Sequence, residues 1–265
     1  MSASGLAQTF VVAEYEVRRY LRGRRLLGML LLLALIVGLI LGLPPALGLD
    51  YASNPNLFVA SFTNFSSLLI VLSGVLFASD ALVSEHEKRT GYFLFPNPVR
   101  REVLVLGKLA ASVLTSFAVV TLYYGAASGA ALVVTGALTW EIWLSYLYAL
   151  AYTVCVVGIA FLLSASLKTT VSATVLTFFL FTLIFGILQG VLLLADVDPW
   201  FIPSAAAGII GNVVAPSVGF GQGPGNGFGL SFVPEVTTSL LVFAGYFVVG
   251  SLLAVLLFRR RELAA

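Results

Sequence analysis

The chain alternates long apolar runs with short polar gaps. The runs fall at 26–43, 57–78, 109–134, 142–163, 171–194 and 239–258. A helix needs about 20 predominantly apolar residues, with a range of roughly 17–25, to cross a hydrocarbon core, so each run predicts one transmembrane helix. Ahead of the first run, Leu6, Phe10, Ala13, Val17, Tyr20 and Leu21 recur at helical spacing on one narrow face, and Glu14, Arg18, Arg22 and Arg25 line its flank. That pattern predicts an amphipathic helix over 5–23 lying in the membrane interface, with Glu14 and Arg18 at the favourable i, i+4 separation and Gly23 as a hinge into the first span. The competing reading of the same face is a soluble helix packed on a cytoplasmic partner. The expected fold is all-α, a polytopic membrane protein of six transmembrane helices preceded by an amphipathic interfacial helix, forming one domain over 1–265.

Charge adds an orientation. All fourteen Lys and Arg residues lie in four stretches: Arg18, Arg19, Arg22, Arg24 and Arg25; Lys88, Arg89, Arg100, Arg101 and Lys108; Lys168; and Arg259, Arg260 and Arg261. These stretches occupy alternate gaps, which is the positive-inside pattern and predicts a multi-pass protein of the cytoplasmic (inner or plasma) membrane with both termini in the cytoplasm. Counting acids as well, the basic side carries +7 and the other side −5. Each cluster abuts a hydrophobic span, so anionic lipid is the expected counterpart and nucleic acid is not. With 60% hydrophobic and 10% charged residues, no soluble core could absorb the apolar surface. The run at 26–43 is longer than a signal-peptide core and is read as a retained helix.

Candidate chemistry is sparse. The single cysteine, Cys155, lies within an apolar run, and the single histidine, His86, sits in a polar gap without the two-His spacing of a zinc protease. Neither a catalytic set nor a metal site can be assembled, so the chain is not expected to be an enzyme by itself. The span interiors lack ionisable groups, which disfavours an ion-coupled secondary transporter. They carry neutral polarity instead. Asn64, Ser67, Thr177 and Gln189 are candidates for a pathway, while Gly186 and Gly190, spaced as GxxxG, permit close helix approach either within one subunit or across a dimer seam; Gly125 and Gly129 repeat the spacing. The stretch 195–238 is too apolar for an ordinary outer loop, and its Trp200, Phe201, Ile209 and Ile210 predict short helices dipping into the outer interface before a glycine-rich turn.

The most distinctive polar gap, 79–102, combines Glu85, Glu87, Lys88, Arg89, Thr90 and Gly91 with Tyr92, Phe93 and Phe95, then Pro96, Pro98, Arg100 and Arg101. Such density of charge and aromatic side chains suits protein docking. In the order acidic pair, small step, apolar run, Pro, basic residue and Gly-Lys, the positions Glu85, Glu87, Gly91, Pro98, Arg101, Gly107 and Lys108 resemble the permease subunits of type-2 ABC transporters. Thr90-Gly91 inverts the family's Gly-Thr step, and the aromatics replace aliphatic residues. The resemblance covers nearly the whole chain. It implies a coupling loop over 79–102 that rests on a separate ABC ATPase, with Lys168 and Thr169 as a smaller second contact. It further implies two permease copies on two ATPase subunits, ATP and Mg bound in the partner ATPase, no cofactor in this chain, and export of a substrate. An alternative within the family is transmission of ATP-driven motion to an extracytoplasmic partner through 195–238.

Overall fold

A computed structural model describes residues 5–84, 101–216 and 232–261, with the backbone alone at 101 and 259–261. Among these residues the chain is helical and no strand occurs. The elements are α1 (Gly5–Leu21), α2 (Arg24–Ala46), α3 (Pro55–Phe77), α4 (Arg101–Thr135), α5 (Trp140–Ser166), α6 (Thr170–Phe179), a π-helical turn (Leu180–Ile184), α7 (Phe185–Leu194), α8 (Pro203–Ala206), α9 (Ile209–Asn212) and α10 (Val236–Arg261). Helix α6, the π turn and α7 form one continuous rod. With that rod counted once, six helices among the described residues are long and apolar enough to cross a membrane.

Each predicted span matches a helix to within a few residues, except that α4 starts well ahead of 109. At 35 residues it is about 50 Å long and outruns a hydrocarbon core by several turns. The breaks follow local chemistry. Asn54 caps α3 by accepting from the Asn56 backbone N–H at 2.9 Å, with Pro55 in the first turn. Thr169 caps α6 in the same way from Ser172 at 3.3 Å. Between α1 and α2 the backbone becomes extended at Gly23, the predicted hinge.

Helices α3, α4 and α5 form the centre, α10 packs along α5, and α1 lies along α4. Close approach of α5 and α10 depends on two glycines. A Cβ added to Gly158 would stand 2.8 Å from the Phe247 Cα, and one on Gly250 would stand 2.7 Å from the Gly158 carbonyl oxygen. The GxxxG glycines behave differently: a Cβ on Gly125, Gly129, Gly186 or Gly190 meets nothing within 4 Å. Close packing of those four within one subunit, one of the two expectations for them, is therefore not what they do here. Helix α2 is peripheral. It buries only Met29 and Ile36, and Leu27, Leu31, Leu35, Leu39 and Leu43 are exposed.

Helix α1 packs on α4 through only part of its predicted apolar stripe. Ala13, Glu16 and Tyr20 are buried, whereas Leu6, Phe10 and Leu21 are exposed. Gly107 explains the choice, because a Cβ there would come 2.6 Å from the Val12 Cγ1 and 3.0 Å from the Thr9 carbonyl oxygen. The bare backbone of α4 lets α1 settle on the side of Thr9, Val12 and Glu16.

Candidate functional site

Two regions hold the polar side chains that the bundle brings together. The first is its basic end. Glu16 of α1 receives the Lys108 ammonium of α4 at 2.6 Å, with the two side chains only 5% and 2% exposed, and the half-exposed Arg19 approaches the same carboxylate at 3.1 Å. One turn along α1, the Tyr20 hydroxyl donates to the Phe77 carbonyl at the end of α3 (2.8 Å), and Ser112 of α4 donates to the same oxygen (2.8 Å). Burial pushes the Tyr20 phenol above its ordinary range, so it stays a donor. Arg25 at the start of α2 pairs with the buried Asp80. A buried hydrogen-bonded set of this kind is costly to break and fixes one geometry.

The beginning of the predicted coupling stretch belongs to this end. Residues 79–84 are buried in the bundle. Ser164 of α5 accepts from the Leu82 and Val83 backbone N–H groups at 3.0 and 3.1 Å, satisfying donors that no helix would. Ala78, Leu82, Val105, Leu109, Ala165 and Phe258 close over them as a compact apolar cluster. Glu85, Glu87, Lys88, Arg89, Thr90, Gly91, Phe93, Phe95, Pro98 and Arg100 lie outside the described residues, as does the side chain of Arg101. Lys168 and Thr169 are exposed at the same end, in the gap between α5 and α6.

The second region is a cavity of about 320 Å³ between α3, α5, the α6–α7 rod and the α8–α9 segment. Asn64, Ser67 and Gln189, three of the four residues singled out for a pathway, line it together with Gly186 of the GxxxG spacing. Thr177 does not: it is buried toward the basic end and donates to the Ala173 carbonyl at 2.6 Å. Gly190 is half-buried one turn beyond Gly186 and is not part of the lining. The π turn supplies Phe181 and Thr182 to the wall. Such turns widen a helix locally and recur at functional sites.

The floor comes from the 202–212 segment. Short helices α8 and α9 fold back onto the bundle, burying Ile202, Ile209 and Ile210. Tyr124 and Ser145 share a hydrogen bond at 2.8 Å, and Ser145 donates to the Ile210 carbonyl at 2.7 Å, which anchors α9 to α5. Short helices were expected for this stretch; the contributions of Ser204, Gly208 and Asn212 to a cavity wall were not. Their one signal in the sequence was the spacing of four between Ser204, Gly208 and Asn212.

Glu16, Tyr20 and Ser112 were likewise missed. Glu16 was legible as the one acid between Ala13 and Tyr20 on the same side of α1. Among the described residues no group of three metal-ligating side chains occurs.

No curated protein matches the chain. A family model described as a protein of unknown function, DUF2705, matches residues 24–264, which takes in the six long apolar helices among the described residues and the cavity beside α3 and α5. The chain therefore belongs to the DUF2705 family.

Proposed function

We propose that this chain is the membrane-spanning permease subunit of an ATP-driven exporter, paired with a second copy and driven by separate ATPase subunits. The observation that carries this reading is the construction of the basic end. Helix α3 and the 79–84 turn enter the 85–100 stretch, and α4 leaves it, from a unit locked by Glu16–Lys108, by Tyr20 and Ser112 on the Phe77 carbonyl, and by Ser164 on the Leu82 and Val83 N–H groups. Force applied to 85–100 is thereby delivered to three spans at once instead of being lost in a slack connector. In this reading the basic end faces the cytoplasm, 85–100 docks on the ATPase, Lys168 and Thr169 add a smaller contact, and the open faces of Gly125 and Gly129 are available to the second copy. Docking shifts the permease only if the ATPase holds two permease states with different affinity.

The test is purification of the tagged chain in mild detergent from native membranes, with mass spectrometry of what accompanies it and an ATPase assay. The expected result is a stoichiometric ABC ATPase. Replacing Phe93 and Phe95 together by Ala should weaken that association by about 2 kcal/mol or more, roughly thirtyfold, if these aromatics anchor the contact. A double variant with unchanged association and turnover removes them from the mechanism. A homogeneous preparation without ATPase overturns the permease reading.

A further inference from the structure

The cavity between α3 and the α6–α7 rod carries more polarity than packing explains. The Ser204 hydroxyl faces no solvent and has no hydrogen-bond partner among the described residues. The side chains of Asn64, Ser67, Gln189 and Asn212 line the same space and make no hydrogen bond among the described residues either. By contrast, Thr63 and Thr182 on the wall are already satisfied, donating to the Ala60 carbonyl (3.0 Å) and the Phe178 carbonyl (2.7 Å). Amides and hydroxyls left open within a membrane-spanning bundle are costly unless something fills their bonding capacity.

Three features of the space define what fits. First, among the described residues no carboxylate, ammonium, guanidinium or imidazole lines it, so a charged group would enter without a counter-ion from them. Second, Leu68, Val71, Phe181 and Ile210 share the walls with the amides, which gives the space an apolar side. Third, Asn64, Leu68, Thr182 and Gly186 are exposed, so the cavity opens on the flank of the bundle. Asn64 lies nine residues into α3, about 14 Å from that helix's outer end, and at that depth a ligand arrives sideways from the bilayer. The volume, about 320 Å³, is that of roughly ten waters and suits a compact head group. Gly186 keeps the mouth clear, since a Cβ there meets nothing within 4 Å.

We infer that this cavity binds the uncharged, hydroxyl- or amide-bearing head of a membrane-resident amphiphile, with Asn64, Gln189, Asn212 and Ser204 as its hydrogen-bonding partners. This names the substrate class for the exporter proposed above and rests on that reading for its role in transport, but the binding itself needs no ATPase. The test uses the full chain reconstituted in vesicles with three photoactivatable probes of matched acyl length: a monoacylglycerol, a phosphatidylglycerol and an alkyltrimethylammonium, each carrying a diazirine near the head. Labelled peptides are mapped by mass spectrometry.

The monoacylglycerol should label the peptides containing 64–71 and 182–189 at least fivefold more than either charged probe. Gly186→Leu, which plugs the mouth, and Ser204→Ala, which only removes a hydroxyl, should each lower that labelling, while labelling of the peripheral α2 stays constant as the control for folding. Equal labelling by charged probes, labelling unchanged in both variants, or crosslinks running only to a second copy of the chain would each overturn the inference. Co-purification of an ATPase without selective labelling sinks this site alone; selective labelling without an ATPase sinks the permease reading alone.

Discussion

Removing either member of the Glu16–Lys108 pair should damage the protein far more than removing both. The two charges are 2.6 Å apart with side chains 5% and 2% exposed, so neither is solvated by water. Taking away one partner of a buried pair costs about 3–5 kcal/mol, because the other charge stays in a medium that cannot solvate it, whereas an apolar pair of similar volume is close to neutral. Arg19 reaches Glu16 at 3.1 Å from a half-exposed position, so Lys108→Met should fall at the lower end, about 3 kcal/mol, more than a hundredfold in the folding equilibrium. Glu16→Leu removes the carboxylate from a buried ammonium and should cost about 4 kcal/mol. The double variant should lie within about 1 kcal/mol of the parent, leaving a coupling of several kcal/mol between the sites. The assay is titration of the purified chain from mild detergent into SDS-containing mixed micelles, followed by tryptophan fluorescence. Single variants within about 0.5 kcal/mol of the parent, or a double variant as damaged as the sum of the singles, would refute the reasoning.

The glycines give a paired prediction in the same assay. Gly158→Ala and Gly250→Ala press a Cβ onto backbone and should cost about 1–3 kcal/mol, whereas Gly125→Ala and Gly129→Ala meet open space and should be neutral or stabilising by up to about 1 kcal/mol. Gly107→Val should lift α1 off α4, read as new protease cleavage within 5–21 at unchanged span protection, because the added atoms collide with Val12 and the Thr9 carbonyl. Ser164→Ala leaves the Leu82 and Val83 N–H groups without their acceptor and should cost about 2–3 kcal/mol, with Ser164→Thr the milder change if its methyl is accommodated.

The spans were legible because run length and helix-breaking residues are local properties. Asn54-Pro55 and Thr169-Thr170 announce helix starts whatever lies around them, and 26–43 cannot be soluble in any context. What the sequence concealed was partnership. The spacing Gly186 to Gly190 looks like a contact and faces open space here, while Gly158 and Gly250 stand 92 positions apart and form no pattern until two helices are side by side. Lys108 reads as the polar lip of a span and is among the most buried side chains, because its partner sits on a different helix. Periodicity ranks the faces of α1 by hydrophobicity but does not say which one meets α4; the close approach allowed at Gly107 selects that face. Asn64, Ser67 and Gln189 were singled out by neutral polarity and Gly186 by its spacing, and the fold places all four around one space. The share of that wall built from 203–212 required the segment's return onto α5, which composition does not encode.

The dependence of α5 on α10 sets an order in time. Translation at 5–20 residues per second puts about 5–20 s between the appearance of Gly158 and that of Gly250. Throughout that interval the flank of α5 that later meets Phe247 at backbone distance is uncovered, and Phe258 has not yet closed the cluster around Leu82 and Val105. The part of the basic end that Phe258 closes is thus completed only after α10 has been made. A chain stopped before 236 lacks α10 and leaves the Gly158 side of α5 uncovered.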